Sequence, residues 1–425
     1  MGNLVSIINK EKYHKLIFFI FIFSLLLIPP IHLPWFRFKF QLVDFFMPFF
    51  IGLIVVNKWY KNWLLFNVKN LIFLAAIALI SILINNYCAI NDYFEIYRLF
   101  TFICIFIVFK EIYNPQFTNL TIDVIFICLL IFNFLHYHNL FNFNGIVMPL
   151  YCGQESPHLF FFGLNSALAP ATKRMLGTLG NPNNNAILFL FFNIWYFPKK
   201  KWSIKEIIFF FLSVIAVCSC QSRTGIVAFT AVFLLNFIFA KIKWWKMILQ
   251  STAVMLVCFL FFNTNNLLDF SFLGQYKQTR KKENKDYVLA DWNAFNGTSW
   301  KTRLKIWEEL FEQTLEKPII GHAPQKNYFY HNKLYAENEY IFMAWRYGFL
   351  GLIFYLLIFI IPLKDTFCFA RSQLEARRIL LFIVVFLIAA ITNVPLSNTI
   401  LSLLFFSYLG IFYSQRKDEN HEILA

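Results

Sequence analysis

Apolar runs of about 17–20 residues recur along the whole chain, and they fix the solvent in which it can fold. A hydrocarbon core ~30 Å thick takes about 20 helical residues, and only helices or closed barrels satisfy the backbone there. Barrel strands would alternate polar and apolar residues; these runs do not. Charged residues make up 14% and hydrophobic ones 59%, with a mean hydropathy of +0.58, whereas a soluble domain carries about 25% charged residues. The chain reads as an all-α polytopic membrane protein with about twelve transmembrane helices. The expected spans are 16–30, 40–56, 71–87, 95–110, 119–135, 184–198, 206–221, 224–240, 246–263, 339–362, 378–394 and 398–414. Lys10, Lys12 and Lys15 before the first run resemble a signal peptide, but no small-x-small cleavage site follows, so an uncleaved first helix is expected.

The formal charge of +15 would fit an anionic partner in a soluble protein. In a membrane protein the lysines and arginines of short loops mark the cytoplasmic side instead, and nucleic acid is not expected. The inner loops then hold Lys58, Lys61 and Lys69, Lys110, Lys199–Lys201 and Lys205, Lys241, Lys243 and Lys246, and Lys364, Arg371, Arg377 and Arg378, with Arg416 and Lys417 in the tail. The alternate loops are poor in cations, Arg37 and Lys39 excepted. Both termini are expected on the cytoplasmic side of the membrane, and the long loops at about 136–183 and 264–338 on the outer side. The chain divides into residues 1–263, with nine spans, the large outer loop 264–338, and residues 339–425, with three spans and a tail. The eight cysteines show no zinc-ligand spacing; Cys88 and Cys152 share the expected outer side, which leaves a disulfide open.

Chemistry-bearing groups collect on that outer side. Arg174 precedes Gly177, Gly180, Pro182 and the asparagines that start the next span. A helix N-terminus beside an arginine is an anion site, or the stretch is a plain cap with a snorkelling arginine. Arg223 lies in Gln221–Gly225 between two spans, against the positive-inside pattern, where a cation faces a cavity or a partner. Arg98 lies one turn into the fourth span on the same side. In the large loop Arg303 and Trp307 stand four apart on an amphipathic helix over Ser299–Glu316, where a stacked pair and a ligand role both fit. Glu337 and Glu339 sit where the loop re-enters the membrane; one is expected to face a cavity and the other water. No Asp-x-Asp or His/Cys cluster occurs in an outer loop, so neither metal nor cofactor is expected.

These pieces, in this order, resemble the O-antigen polymerase/O-antigen ligase superfamily of bacterial envelope enzymes (Wzy-like and WaaL-like proteins). The matching residues are Arg174, Gly177, Pro182, Asn183, Ser222–Gly225, Arg303, Trp307, Pro318, Gly321, Asn338, Tyr340, Gly348 and Gly351, over about residues 170–365. The chain departs from the pattern at His322-Ala323, where the turn's last glycine is missing, and at Glu337, where ligases carry a histidine. The acidic residue is more like the polymerase branch.

The resemblance implies a GT-C-like glycosyltransferase fold with a large periplasmic loop between the ninth and tenth spans. It implies a substrate linked to undecaprenyl pyrophosphate, contact with membrane lipid and a chain-length regulator protein as partner. Fixed arginines would meet the charge of the pyrophosphate leaving group in place of a metal. Glu337, Arg223 and Arg303 are the expected catalytic residues, and Arg174, Asn183, Arg98, His331, Asn338 and Tyr340 the expected substrate-binding ones. An O-antigen ligase acting on lipid A core, a transporter of lipid-linked sugar and a non-catalytic scaffold are the alternatives. A transporter would show paired repeats and no large loop.

Overall fold

The computed structural model describes residues 2–32, 39–64, 66–85, 89–112, 115–153, 156, 158–159, 174–199, 203–240, 245, 248–254, 256, 299–326, 328 and 337–423. Apart from a two-residue antiparallel ladder, Ile31–His32 with Lys39–Phe40, the described residues build helices and their connections. The helices are α1 (Gly2–Leu27), α2 (Leu42–Val56), α3 (Phe66–Asn85), α4 (Ile90–Ile112), α5 (Pro115–His138), α6 (Phe143–Ile146), α7 (Met148–Cys152), α8 (Pro182–Trp195), α9 (Ile204–Ser219), α10 (Arg223–Ala240), α11 (Ser299–Glu316), α12 (Glu339–Phe369), α13 (Leu374–Thr392) and α14 (Thr399–Ile423). Four stretches are long and apolar enough to cross a bilayer: Val68–Asn85, Thr118–His138, Arg223–Ala240 and Glu339–Phe369. Shorter apolar helices accompany them.

Each long apolar run expected from the sequence coincides with a helix, save 246–263, of which residues 248–254 and 256 are described and helical. The ends differ for physical reasons. α12 continues through Pro362 to Phe369; a proline is tolerated inside a membrane helix. Lys364, read as part of an inner loop, therefore lies on α12. α4 begins at Ile90 rather than near 95 because Asp92, Glu95 and Arg98 all find partners in the fold. The stretch read as an outer loop from 136 begins with the last turn of α5 and holds α6 and α7.

Contacts at the helix ends orient the bundle. α3, α5, α9 and α13 finish at the same end where α4, α8, α10, α12 and α14 begin, as the bonds described below require. α10 runs away from that end, and α11 lies against the start of α12.

Aromatic rings fill the interior. Phe126 meets Phe192, Tyr196 and Phe209 with centroids 5.1–5.3 Å apart, and Phe405 meets Phe359 at 5.3 Å and Phe386 at 4.8 Å. Such offset and tilted contacts suit the ring quadrupole. α14 lies along α4, with Phe102 and Phe406 stacked at 5.0 Å.

One irregularity sets the docking of the large loop. At Gly348 α12 leaves helical geometry (φ 66°, ψ −175°), a conformation open to glycine and costly for other residues. The carbonyls of Trp345 and Arg346 are thereby available to accept from the N–H groups of His322 (2.9 Å) and Ala323 (2.8 Å), while Phe349 N–H donates to Pro318 O (2.7 Å). A β-carbon on Gly348 would stand 2.2 Å from Ile319 O, and one on Gly321 2.6 Å from Arg346 O. The two glycines let loop and helix backbones touch.

Candidate active site

The N-terminus of α8 is built by Asn181, whose side-chain oxygen accepts from Asn183 N–H (2.9 Å) and Asn184 N–H (3.3 Å) with Pro182 in the first turn. The Asn181 amide is 3.3 Å from His158 Nε2. Burial, with the Arg174 cation second, brings the His158 imidazole down to about 4, so at neutral pH it is uncharged. Arg174 crosses the helix start: Nε donates to Cys220 O (3.0 Å) and one Nη to Asn183 Oδ1 (3.1 Å). Behind it Asn185, fully buried, donates to Asn133 Oδ1 and Met175 O, and His136 Nε2 accepts from Leu176 N–H. The loop before α8 is thus pinned to α5 and α9.

Arg223 opens α10 one turn of chain after Cys220 and is exposed. Among the described residues no acidic group lies within 4 Å of it. Its neighbours fasten α10 to α13: Thr224 and Thr392 share a hydroxyl hydrogen bond, and Asn393 donates to Asn184 Oδ1 at 2.8 Å. Arg303, on α11, is ion-paired with Glu337. Burial lowers the guanidinium pKa of both Arg174 and Arg303, and the charge of Arg223 pushes each further down. Arginine stays protonated in proteins, so these shifts register burial first and the charge of Arg223 after it. Arg174 and Arg223 stand by the N-termini of α8 and α10, and Arg303 on α11 lies within the field of Arg223; such clustered cations suit an anion.

Beside it lies a buried charge network that the sequence showed only in part. Arg98 is ion-paired with Glu95 and donates to Ser397 O at 2.7 Å. Glu95, 2% exposed, also meets Lys326 Nζ at 2.8 Å and Arg346 at 3.7 Å. Lys326 N–H donates to Asp92 Oδ1 at 3.0 Å. Burial lowers the Lys326 pKa against the opposing pull of Glu95. Glu339 is fully buried and accepts from Leu396 N–H (2.9 Å), Ser397 N–H (2.8 Å) and the hydroxyls of Ser397 and Tyr355 (both 3.2 Å).

Of the residues expected from the sequence, the fold brings Arg174 to Asn183, Arg303 to Glu337, and both arginines near Arg223. Glu337 is the partly exposed member of the acidic pair and Glu339 the enclosed one. Arg98 faces inward, its guanidinium held by Glu95 and Ser397. Asn338 caps α12 by accepting from Ile341 N–H (3.1 Å), and Tyr340 donates to Leu387 O (2.7 Å). His331 and Cys88 lie outside the described residues, as does the stretch 257–298; Cys152 is a free thiol. Sequence reasoning missed Glu95, Lys326, Asn181 and His158; the only written signal was the i, i+3 spacing of Glu95 and Arg98. No grouping of three metal-ligating side chains occurs among the described residues.

Antiparallel apolar helices with a polar, arginine-rich region at one end define a polytopic membrane protein. Residues 208–356 match the family Wzy_C, described as O-antigen ligase, and members of that family are glycan-transferring enzymes. The match takes in Arg223, Arg303, Glu337 and the Gly321/Gly348 contact; Arg174, α8 and Glu95 lie upstream of it. No curated protein matches the chain.

Proposed function

We propose that the protein is a polysaccharide polymerase, for O-antigen or capsule, working at the outer face of the bacterial inner membrane. It transfers a nascent glycan from undecaprenyl pyrophosphate to a lipid-linked repeat unit, with the large loop outside and both termini in the cytoplasm. The observation that supports this reading is the cluster of Arg174 at the capped N-terminus of α8 with Arg223, and of Arg303, paired with Glu337, within the field of Arg223. A sugar hydroxyl oxygen of the acceptor attacks the anomeric carbon, and the bond from that carbon to the pyrophosphate oxygen breaks. The electron pair leaves on undecaprenyl pyrophosphate, where the arginine forks and the helix N–H groups meet it. The hydroxyl proton passes to Glu337, which donor binding releases by drawing Arg303 to phosphate. Membrane lipid and a chain-length regulator are the accompanying partners in this reading.

The second reading is an O-antigen ligase, favoured by the description of the family matched over 208–356 and opposed by an acidic residue at Glu337. Gels of surface polysaccharide from a deletion strain separate the two: loss of a polymerase leaves core bearing one repeat unit, and loss of a ligase leaves bare core. Normal long-chain polymer in the deletion strain would end both.

A further inference from the structure

Lys326 and Glu339, on either side of Glu337 in the chain, are both anchored, and both anchors lead to the start of α4. At one end Lys326 is held through its ammonium by Glu95 (2.8 Å) and through its backbone N–H by Asp92 (3.0 Å). At the other, Glu339, two residues beyond Glu337, is locked by the Leu396 and Ser397 N–H groups. The turn holding Ser397 is in turn fixed to α4 by Arg98 (2.7 Å), and Arg98 is paired with Glu95. Glu95 is the shared point of both anchors and also faces Arg346 at 3.7 Å. We propose that the first two turns of α4 clamp the segment carrying Glu337, with Glu95, Arg98 and Glu339 as positioning residues for glycan transfer.

The clamp rests on the transferase reading for its purpose but not for its geometry. A carboxylate enclosed by Arg98, Lys326 and Arg346 cannot lose its charge without stranding cations in a buried site. Gln fills the same volume as Glu, so a role in packing alone survives Glu95→Gln and a clamp does not. A general base displaced by about 1 Å loses on the order of 10²-fold in rate, whereas donor binding depends on Arg174 and Arg223, which stand on other segments.

The test uses the full chain in proteoliposomes with a lipid-linked repeat unit as donor and acceptor. A Gln325→Cys reporter beside the anchor is labelled with a thiol reagent, and a Glu312→Cys reporter on α11 serves as the reference. Glu95→Gln and Lys326→Met are expected to raise labelling at 325 about tenfold relative to 312. They should lower kcat by about 10²-fold with the donor KM little changed, and Lys326→Arg should restore both. Unchanged labelling and kcat in Glu95→Gln and Lys326→Met would overturn the clamp. Should Glu95→Gln fail to insert, Lys326→Met and Lys326→Arg, at the less buried end of the pair, decide the matter alone. If the unmodified chain elongates no glycan, the polymerase reading fails, while the labelling still decides the clamp.

Discussion

Cations gather at both ends of the helix bundle, but those around α8 are held differently. Where α8 ends and α13 begins, Arg378 bonds Glu375 and Trp195 O, each at 2.6 Å, and lies 4.1 Å over the Trp195 ring. Lys205 pairs with Asp123 at 2.6 Å and Lys199 with Glu206 at 2.5 Å, Glu206 also closing the capping box of α9 with Ser203. At the opposite end Arg174 bonds the Cys220 carbonyl and Asn183, Arg223 is exposed, and Arg303 is ion-paired with Glu337. An ion pair closed within the fold holds helices together and asks nothing of the surroundings. The transferase reading assigns the arginine-rich end to an anionic ligand instead.

The largest effect expected from breaking this contrast is at Glu337. Glu337→Gln should reduce polymer formation by about 10²–10⁴-fold, the usual contribution of a general base, while leaving protein levels normal. Wild-type chain lengths in that variant would remove the residue from the chemistry. Arg223→Ala should lower transfer by about 10²–10³-fold, the range for loss of one charge-stabilising donor. Arg223→Lys, which keeps charge but not the bidentate fork, should recover only a small part; full transfer in both would make Arg223 a snorkelling side chain.

The paired end should answer in stability instead. Arg378→Ala leaves Glu375 without its cation and is expected to cost about 3–5 kcal/mol, seen as a lower unfolding temperature in detergent. The kcat of the surviving fraction should stay the same. Asn181→Ala, which removes the α8 cap, should cost about 1 kcal/mol and weaken donor binding modestly. A smaller effect attends pH. His158 is neutral in the fold, with its pKa lowered from 6.5 to about 4, so the unfolded chain binds the extra proton first. Stability from this site is full above about 6.5 and declines as pH falls toward 4; His158→Gln should flatten that slope in thermal melts.

The helices were legible because apolar runs record solvent directly. The early start of α4 was not: Asp92 lies ahead of the expected span and is held by the N–H groups of Ala89 and the distant Lys326. Local spacing brought Arg174 and Asn183 together on paper, nine positions apart around a proline and a cap. The Arg303–Glu337 pair joins residues on either side of the loop, and no local pattern announces it. The sequence marked Glu337 and Glu339 as one inward and one outward residue. Which was which depended on Leu396, Ser397 and Tyr355 meeting around Glu339.

The break at Gly348 bears on how the chain is assembled. A helix entering a bilayer with vacant carbonyl groups carries a heavy penalty, and at the break the Trp345 and Arg346 carbonyls are met from outside α12, by the N–H groups of His322 and Ala323 and, at Arg346, also by the Ser81 hydroxyl. Those donors precede α12 in the chain, so they emerge from the ribosome before the helix that needs them. Residues 318–323 are therefore made before α12 and serve as its template when the helix folds. A duplicated α12 supplied without residues 318–323 would lack that template and should insert as a straight helix, with Gly348 drawn back into the regular spiral.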